Sequence, residues 1–161
     1  MNSKNKNNPE KINQKNSKYG ENGFRNISAV VIINKNNKKL LFQQRPKETK
    51  WNPDVWGFFG GKFENNETKE LCAIREIKEE TNLNLNINKL KYINMYIYEN
   101  TNCYFFYYFL EESELKHFKL QEGQDFCWKS YHQSLELDFG TVKNWQLNFL
   151  NNEIKNILKI N

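Results

Sequence analysis

Residues 60–83, GGKFENNETKELCAIREIKEETNL, place two glycines ahead of a stretch rich in glutamate. The second half has the spacing of a helix over residues 68–81, which Thr68 can cap and Asn82 can end in the left-handed conformation. At about 100° per residue, apolar side chains recur on one face of this helix. The apolar stripe that we expect to face the core consists of Leu71, Ile74 and Ile77.

The glutamates Glu76, Glu79 and Glu80 fall on the other side of the predicted helix, at i,i+3 and i,i+4 spacings. Like charges at these spacings cost a few tenths of a kcal/mol per pair. A solvated acidic face would tolerate that cost. A divalent cation would instead reverse the sign of the interaction, because carboxylate oxygens suit Mg²⁺ or Mn²⁺. Without side chains, Gly60 and Gly61 would let their backbone carbonyls approach an ion or a phosphate closely.

The rest of the chain reads as strands with a final helix. Residues 27–34 and 38–45 predict a β-hairpin. Further strands are expected at 91–98, 103–110 and 124–131. The strand at 103–110 is expected to be central, since it is apolar on both faces. An amphipathic helix follows from Val142, with Thr141 as its expected N-cap. Strands, a helix, more strands and a helix predict an α/β fold with a sheet between helices.

Composition bounds the class of protein. The 161 residues fit one domain, and no apolar run is long enough to predict a membrane span. The three cysteines and two histidines show no spacing typical of a zinc site or a disulfide framework. We therefore expect reduced cysteines, a cytoplasmic location and no membrane partner. The sequence specifies no oligomeric state.

The net charge of +5 is concentrated at the N-terminus. Residues 1–26 carry six basic and two acidic residues, whereas the other 135 carry 18 and 17. This Asn/Lys-rich segment has too few apolar residues to offset its ordering entropy, so 1–26 is predicted to be a disordered tail. A tail that touches RNA or a membrane is the alternative interpretation. The near-neutral remainder argues against a nucleic-acid partner for the domain itself.

The spacing separates the two interpretations of the glutamates. From Gly61, five residues lead to Glu67 and seven more to Arg75, and the pattern then continues through the glutamates to Leu83. This resembles the Nudix box, G-x5-E-x7-R-E-U-x-E-E-x-G-U, in which U is a bulky aliphatic residue. One position departs from it: Asn82 stands where the box has glycine. The preceding FFGGKFE resembles the FPGGK-x-E segment of MutT-like proteins, with Phe59 in place of proline.

The resemblance implies a Nudix α/β/α sandwich with a mixed central sheet over residues 27–161. It implies metal-dependent hydrolysis of a nucleoside diphosphate linked to another group. By resemblance, Glu67 and Arg75 pair to brace the loop and helix, with Arg75 counted among the catalytic set. The implied metal ligands are the three helix glutamates, Glu76, Glu79 and Glu80, with a backbone carbonyl of Gly60 or Gly61.

Three further residues are candidates by resemblance. Glu122, in an E-G-Q turn, corresponds to a glutamate that faces the metals in MutT-like proteins, and we expect it to be a ligand or the base; a solvated loop residue is the alternative. Phe58 and Arg45 lie where MutT-like proteins contact the nucleotide. Core packing for Phe58 and plain solvation for Arg45 are the alternatives.

The expected activity is the cleavage of a nucleoside triphosphate, with an oxidised base among the candidates, to a monophosphate and pyrophosphate with Mg²⁺ or Mn²⁺. The alternatives are a nucleotide-sugar hydrolase, a dinucleoside-polyphosphate hydrolase and a non-catalytic domain that binds a nucleotide and regulates a partner. The intact set of glutamates argues against the non-catalytic alternative.

Overall fold

The computed structural model describes residues 18–160, which form one mixed sheet with helices on both faces. The seven strands are β1 (Arg25–Asn34), β2 (Leu40–Gln44), β3 (Trp56–Gly57), β4 (Phe59–Lys62), β5 (Lys91–Tyr98), β6 (Thr101–Leu110) and β7 (Asp125–Lys129). The helices are α1 (Lys69–Thr81), α2 (Glu112–Leu115), α3 (Tyr131–Ser134), α4 (Lys143–Phe149) and α5 (Lys155–Leu158). A π-helical segment, Leu150–Ile154, joins α4 to α5.

The strand order β3-β2-β1-β6-β5 makes β1 and β6 the centre of the sheet. They pair in parallel along their whole lengths, and the remaining pairs are antiparallel. The predicted hairpin of β1 and β2 and the predicted central strand at 103–110 are both confirmed. Two strands pair with β1 on the side opposite β6. The strand β2 pairs with the C-terminal end of β1 at Ile33, and β4 pairs with residues 27–30 of β1. The glycines of β4 therefore lie near the middle of the sheet.

Alternating side chains of β1 divide the core into two layers. Val30 and Ile32 pack with Ala73 and Ile77 of α1 on one face. On the other face, Val31 and its neighbours pack against the C-terminal helices. This two-sided burial produces the sandwich that the sequence predicted. No helix within residues 18–160 is long and apolar enough to cross a bilayer.

The predicted apolar stripe of α1 is wrong in part. Leu71 is 49% exposed, and the buried face instead carries Cys72, Ala73, Ile77 and Glu80. The helix is thus rotated relative to the hydrophobic pattern, and small side chains lie against the sheet. The caps are as predicted: Thr68 accepts a hydrogen bond from the backbone N–H of Leu71, and Asn82 is left-handed at φ 59°.

At the C-terminus the helix begins differently from the prediction. Thr141 lies inside a 3₁₀ turn, Gly140–Val142, and does not cap α4; Val142 precedes that helix without a side-chain cap. The Thr141 hydroxyl and N–H both donate to the Asn52 side chain instead. Thr141 therefore contacts a distant loop instead of capping α4, and the local sequence cannot show that contact.

The predicted boundary of the tail also shifts. Residues 1–17 of the predicted disordered segment lie outside the described residues. Within 18–26, however, β1 already begins at Arg25, and the Asn22 amide donates to Asn102 at 3.0 Å. Hydrogen bonds to Asn102 at the start of β6 and to Asn100 in the preceding turn hold this stretch, so ordered structure starts earlier than residue 27.

Candidate active site

The two glycines of β4 bring the helix and sheet together. Gly60 has φ +142°, and a Cβ there would overlap the Ser28 carbonyl of β1. A Cβ on Gly61 would overlap the carboxylate of Glu76. Glycine at both positions therefore lets β4 lie close to β1 and lets a helix carboxylate rest directly on the strand backbone.

Glu80 is the most deeply placed carboxylate of the site. It is only 7% exposed, and it accepts hydrogen bonds from the Gln43 amide at 2.9 Å and the Gly60 N–H at 2.8 Å. Burial raises the pKa of Glu80 to about 8, even though both hydrogen bonds favour the charged form. The prediction that Glu80 lies on the outer face of α1 is therefore wrong. The Gln43 amide and the Gly60 N–H give both carboxylate oxygens of Glu80 a hydrogen-bond partner inside the fold.

Arg75 connects the loop to the helix. Its Nε and Nη2 donate to the two carboxylate oxygens of Glu67 at 2.8 and 2.9 Å, and Nη2 also donates to the Lys62 carbonyl at 2.9 Å. Its Nη1 donates to Glu76 at 2.9 Å and to Glu79 at 3.0 Å. The hydrogen bond from Arg75 is the main reason that the pKa of Glu67 is lowered. Arg75 thus links the loop to the helix, and its strongest contact is the bidentate ion pair with Glu67.

The four candidate carboxylates lie at one end of α1. Burial is the main cause of the raised pKa of Glu76, and the charges of Glu79 and Glu122 raise it further. Glu79 is half exposed. Glu122 is exposed, and its backbone N–H donates to the Glu80 carbonyl at 3.4 Å. The E-G-Q turn thus lies against the C-terminal end of α1.

This donor set fits a hard divalent cation, because it consists of carboxylate and backbone oxygens. Within residues 18–160, no three acidic, histidine or cysteine side chains already stand close enough together to enclose an ion. Arg75 holds Glu76 and Glu79 through a shared nitrogen. Binding a cation would therefore require these carboxylates to rotate away from that nitrogen.

A cavity of about 140 Å³ is bordered by Gly60, whose N–H donates to Glu80. Its walls are mainly apolar and aromatic. They include Ile27, Ala29, Trp51, Trp56, Phe58, Tyr98, Phe105, Val142 and Trp145, with Arg45, Asn52 and Gln146 among the polar members. Such a pocket, apolar with a few placed polar groups, is typical of a small-molecule site.

The two predicted substrate contacts both border this cavity. Phe58 is buried and stacks on Phe42 at 5.0 Å, so it belongs to the core and to the cavity wall together. Arg45 donates to the carbonyls of Asn52 and Trp51 at 3.2 Å and lies over the Trp51 ring. It is therefore held in place by the loop rather than simply solvated.

Sequence reasoning missed Gln43 and Gln146. Gln43 lies within a strand and reads as an ordinary outward residue, yet it is buried and donates to Glu80. Gln146 lies on the final helix and reaches the cavity only through the packing of that helix on the sheet. The one available indication for Gln146 was its polarity at a position four residues after Val142 and three before Phe149, on the apolar side of a helix.

Comparison with known proteins gives a consistent picture. The NUDIX domain family model matches residues 24–150. Dihydroneopterin triphosphate diphosphatase of Haemophilus influenzae is 30% identical over 124 residues, which cover 67% of this chain and 75% of that protein. An 8-oxo-dGTP diphosphatase of Proteus vulgaris is 39% identical over 59 residues, covering 37% of this chain and 51% of that protein.

Solved structures show the same fold at lower identity. A structure from work on MutT of Aliivibrio salmonicida and Vibrio cholerae has a TM-score of 0.65 at 19% identity, covering 78% of this chain and 94% of that one. The dihydroneopterin triphosphate pyrophosphohydrolase of E. coli has a TM-score of 0.59 at 20% identity, covering 83% of this chain and 98% of that one.

Proposed function

This chain belongs to the NUDIX family of hydrolases, and we propose that it cleaves the triphosphate of a nucleoside, or of a similar heteroaromatic base compound, to a monophosphate and pyrophosphate. The observation that carries the proposal is the position of Gly60. This residue borders the aromatic cavity and donates its N–H to Glu80, one of the clustered carboxylates. A base in the cavity would thus place its phosphate chain at the glutamates.

The relatives favour a triphosphate among the possible substrates. Both curated relatives are named as diphosphatases, one of dihydroneopterin triphosphate and one of 8-oxo-dGTP. Each of these compounds joins a bicyclic heteroaromatic ring to a triphosphate. The cavity of this chain, with tryptophan rings at Trp51, Trp56 and Trp145, suits such a ring.

We assign the metal-holding role to Glu76, Glu79, Glu80 and Glu122, with Mg²⁺ or Mn²⁺ as the ion. A bound divalent ion would neutralise charge on the phosphate oxygens and lower the pKa of the attacking water. Glu80 is suited to this role because its buried carboxyl gains most from a cation that replaces its proton. Ionisation of Glu80 would leave each oxygen with one hydrogen bond from the protein and a further lone pair for a ligand.

In the proposed reaction, water forms a bond to one phosphorus atom and the bridging P–O bond to the leaving pyrophosphate breaks. The proton of the water passes to a carboxylate, for which Glu122 is our candidate. Its exposed position in the turn leaves it free to reach the bound phosphates, while its N–H contact holds the turn against α1. Arg75 keeps the loop and helix in register through Glu67.

The test is steady-state turnover with Mg²⁺ on nucleoside triphosphates, dihydroneopterin triphosphate, nucleotide sugars and dinucleoside polyphosphates. We expect the triphosphates to have the highest kcat/KM. Glu79→Gln should lower kcat at saturating Mg²⁺ with little change in stability, because Glu79 is half exposed. Glu112→Gln, an exposed carboxylate on α2, is the matched control. No turnover on any substrate, or equal turnover in both variants, would refute the proposal.

A further inference from the structure

The side chain of Gln43 lies where three parts of the active site meet. Its amide nitrogen donates to Glu80 Oε1 at 2.9 Å and to the Phe58 carbonyl at 3.3 Å. Its amide oxygen lies next to Gly123 of the E-G-Q turn, where an added Cβ would stand 3.2 Å from that oxygen. One buried amide thus lies between α1, the chain that leads into β4 and the turn that carries Glu122.

The sheet holds this amide in a fixed place. Gln43 pairs with Gly57 of β3 on one side and with Phe126 of β7 on the other. Leu41, two residues earlier on the same face of β2, is fully buried in the apolar layer under α1. A hydrocarbon at position 43 would continue that layer. An amide is suited to this position because it meets a buried carboxylate there.

Two donors from different strands fix the carboxylate of Glu80. Gln43 donates to Oε1 from β2, and the Gly60 N–H donates to Oε2 from β4 at 2.8 Å. Together they set the plane of the carboxylate, and each oxygen keeps a lone pair for a further ligand. Without the Gln43 amide the carboxylate could turn about its last bond, and a ligand would have to order it on binding.

We propose that Gln43 is a positioning residue, whose amide holds Glu80 in the orientation in which its carboxylate binds a divalent cation. The inference rests on the proposed function, because the cation is the one that we assign to the clustered glutamates. Gln43 acts through Glu80 alone, and it is not one of the described residues that border the cavity. Partners that orient a metal ligand contribute about 10- to 100-fold to metal affinity or activity.

The first experiment measures Mn²⁺ binding without substrate, from the electron paramagnetic resonance signal of the free ion. Gln43→Met keeps the length of the side chain and removes its hydrogen bonds. We expect its dissociation constant for Mn²⁺ to be about tenfold or more above the wild-type value. Gln44→Met is the matched control and should stay within about twofold, because the Gln44 amide donates to Asp54 instead. A wild-type constant in Gln43→Met, or no binding by the wild type at millimolar Mn²⁺, would overturn the inference.

A cycle with Glu80→Gln separates positioning from a general loosening of the fold. If Gln43 acts through Glu80, adding Gln43→Met to Glu80→Gln should change the Mn²⁺ dissociation constant by less than about threefold. An undiminished tenfold effect in that background would mean that the amide acts through overall packing, which would overturn the inference.

The wild-type protein decides the matter if Gln43→Met does not fold. In ¹⁵N-labelled protein, the Gln43 side-chain amide protons should exchange with solvent at least about tenfold more slowly than those of the exposed Gln133, both with and without saturating Mg²⁺. Exchange as fast as that of Gln133 in the presence of Mg²⁺ would show that the amide leaves Glu80 when the ion binds. That result would overturn the inference.

Turnover separates this inference from the proposed function. With a triphosphate as substrate, Gln43→Met should need about tenfold more Mg²⁺ for its half-maximal rate, while KM at saturating Mg²⁺ changes by less than about threefold. A raised KM with an unchanged Mg²⁺ requirement would overturn the inference and leave the proposed function intact. If no triphosphate is hydrolysed but Gln43→Met weakens Mn²⁺ binding through Glu80, the proposed function fails and the inference stands.

Discussion

Replacement of Arg75 by methionine should destabilise the fold through Glu67. The Glu67 side chain is 10% exposed and that of Arg75 is 22% exposed, and two charge-assisted hydrogen bonds join them. The substitution removes the cation and leaves a nearly buried carboxylate unpaired. Breaking such a pair costs about 3–5 kcal/mol when it is fully buried. Because Arg75 is partly exposed, we expect the loss of unfolding free energy to lie near the lower end of this range, at about 3 kcal/mol.

For a chain of this length, each kcal/mol lowers the melting temperature by about 2–4 °C, so Arg75→Met should lose about 6–12 °C. Urea unfolding, followed by tryptophan fluorescence in EDTA, gives the free energy directly. Glu67→Gln and the double variant complete a cycle, for which we expect a coupling energy of about 2 kcal/mol. Surface variants such as Lys50→Met supply the baseline for loss of an exposed charge.

The contribution of this pair should also depend on pH in a defined direction. Arg75 holds the pKa of Glu67 below its ordinary value of 4.5. The folded state therefore binds fewer protons than the unfolded state, so the stabilisation is complete above pH 4.5 and is lost as pH falls through the lowered folded pKa. The stability difference between wild type and Glu67→Gln should shrink below that pH. A coupling energy near zero, or an unchanged difference at low pH, would refute the bracing role.

Three further outcomes are expected. Glu122→Gln should lower kcat about a hundredfold or more with an unchanged melting temperature, whereas Glu112→Gln should have little effect; equal behaviour of the two would make Glu122 an ordinary loop carboxylate. Without metal, Glu80→Gln should gain about 1–3 kcal/mol of stability relative to wild type between pH 5 and pH 9, because the unfolded wild type ionises Glu80 from about pH 4.5 while the folded wild type keeps the proton up to about pH 8; urea unfolding at the two pH values checks this. Deletion of residues 1–17 should change kcat/KM on a triphosphate by less than about twofold, and a large loss with the fold intact would show that this segment reaches the site.

The Glu112 control replaces one that the sequence alone would suggest. Glu114 lies in the same connection between β6 and β7 and looks equally neutral. In the structure it accepts a hydrogen bond from the Tyr108 hydroxyl at 2.6 Å and from the Glu111 N–H at 2.9 Å. Its replacement would disturb α2, so it cannot serve as an inert comparison.

Local features of the sequence predicted most of the fold. The caps of α1 were predictable because Thr68 and Asn82 act through backbone groups a few residues away. The central position of β6 was predictable because both of its faces are apolar. The rotation of α1 was not, since Leu71 and Ala73 compete for the core and only the sheet surface decides between them. A small residue on the buried face let the helix approach the strands.

The site divides in the same way. The glutamates and Arg75 were predictable because they lie in one contiguous motif. Gln43, which pairs with Glu80, and Gln146, which borders the cavity, come from β2 and α4. Their roles depend on contacts across 37 residues of chain in one case and on helix packing in the other. No local pattern contains that information.

Analysis of the products from a nucleoside triphosphate incubated with Mg²⁺ tests the central claim most directly. Chromatography separates the monophosphate, diphosphate, phosphate and pyrophosphate. The clustered carboxylates and the adjoining cavity predict equal amounts of monophosphate and pyrophosphate, and no reaction in EDTA. Release of diphosphate and phosphate, or turnover that persists in EDTA, would contradict the claim that these glutamates hold a metal for pyrophosphate release.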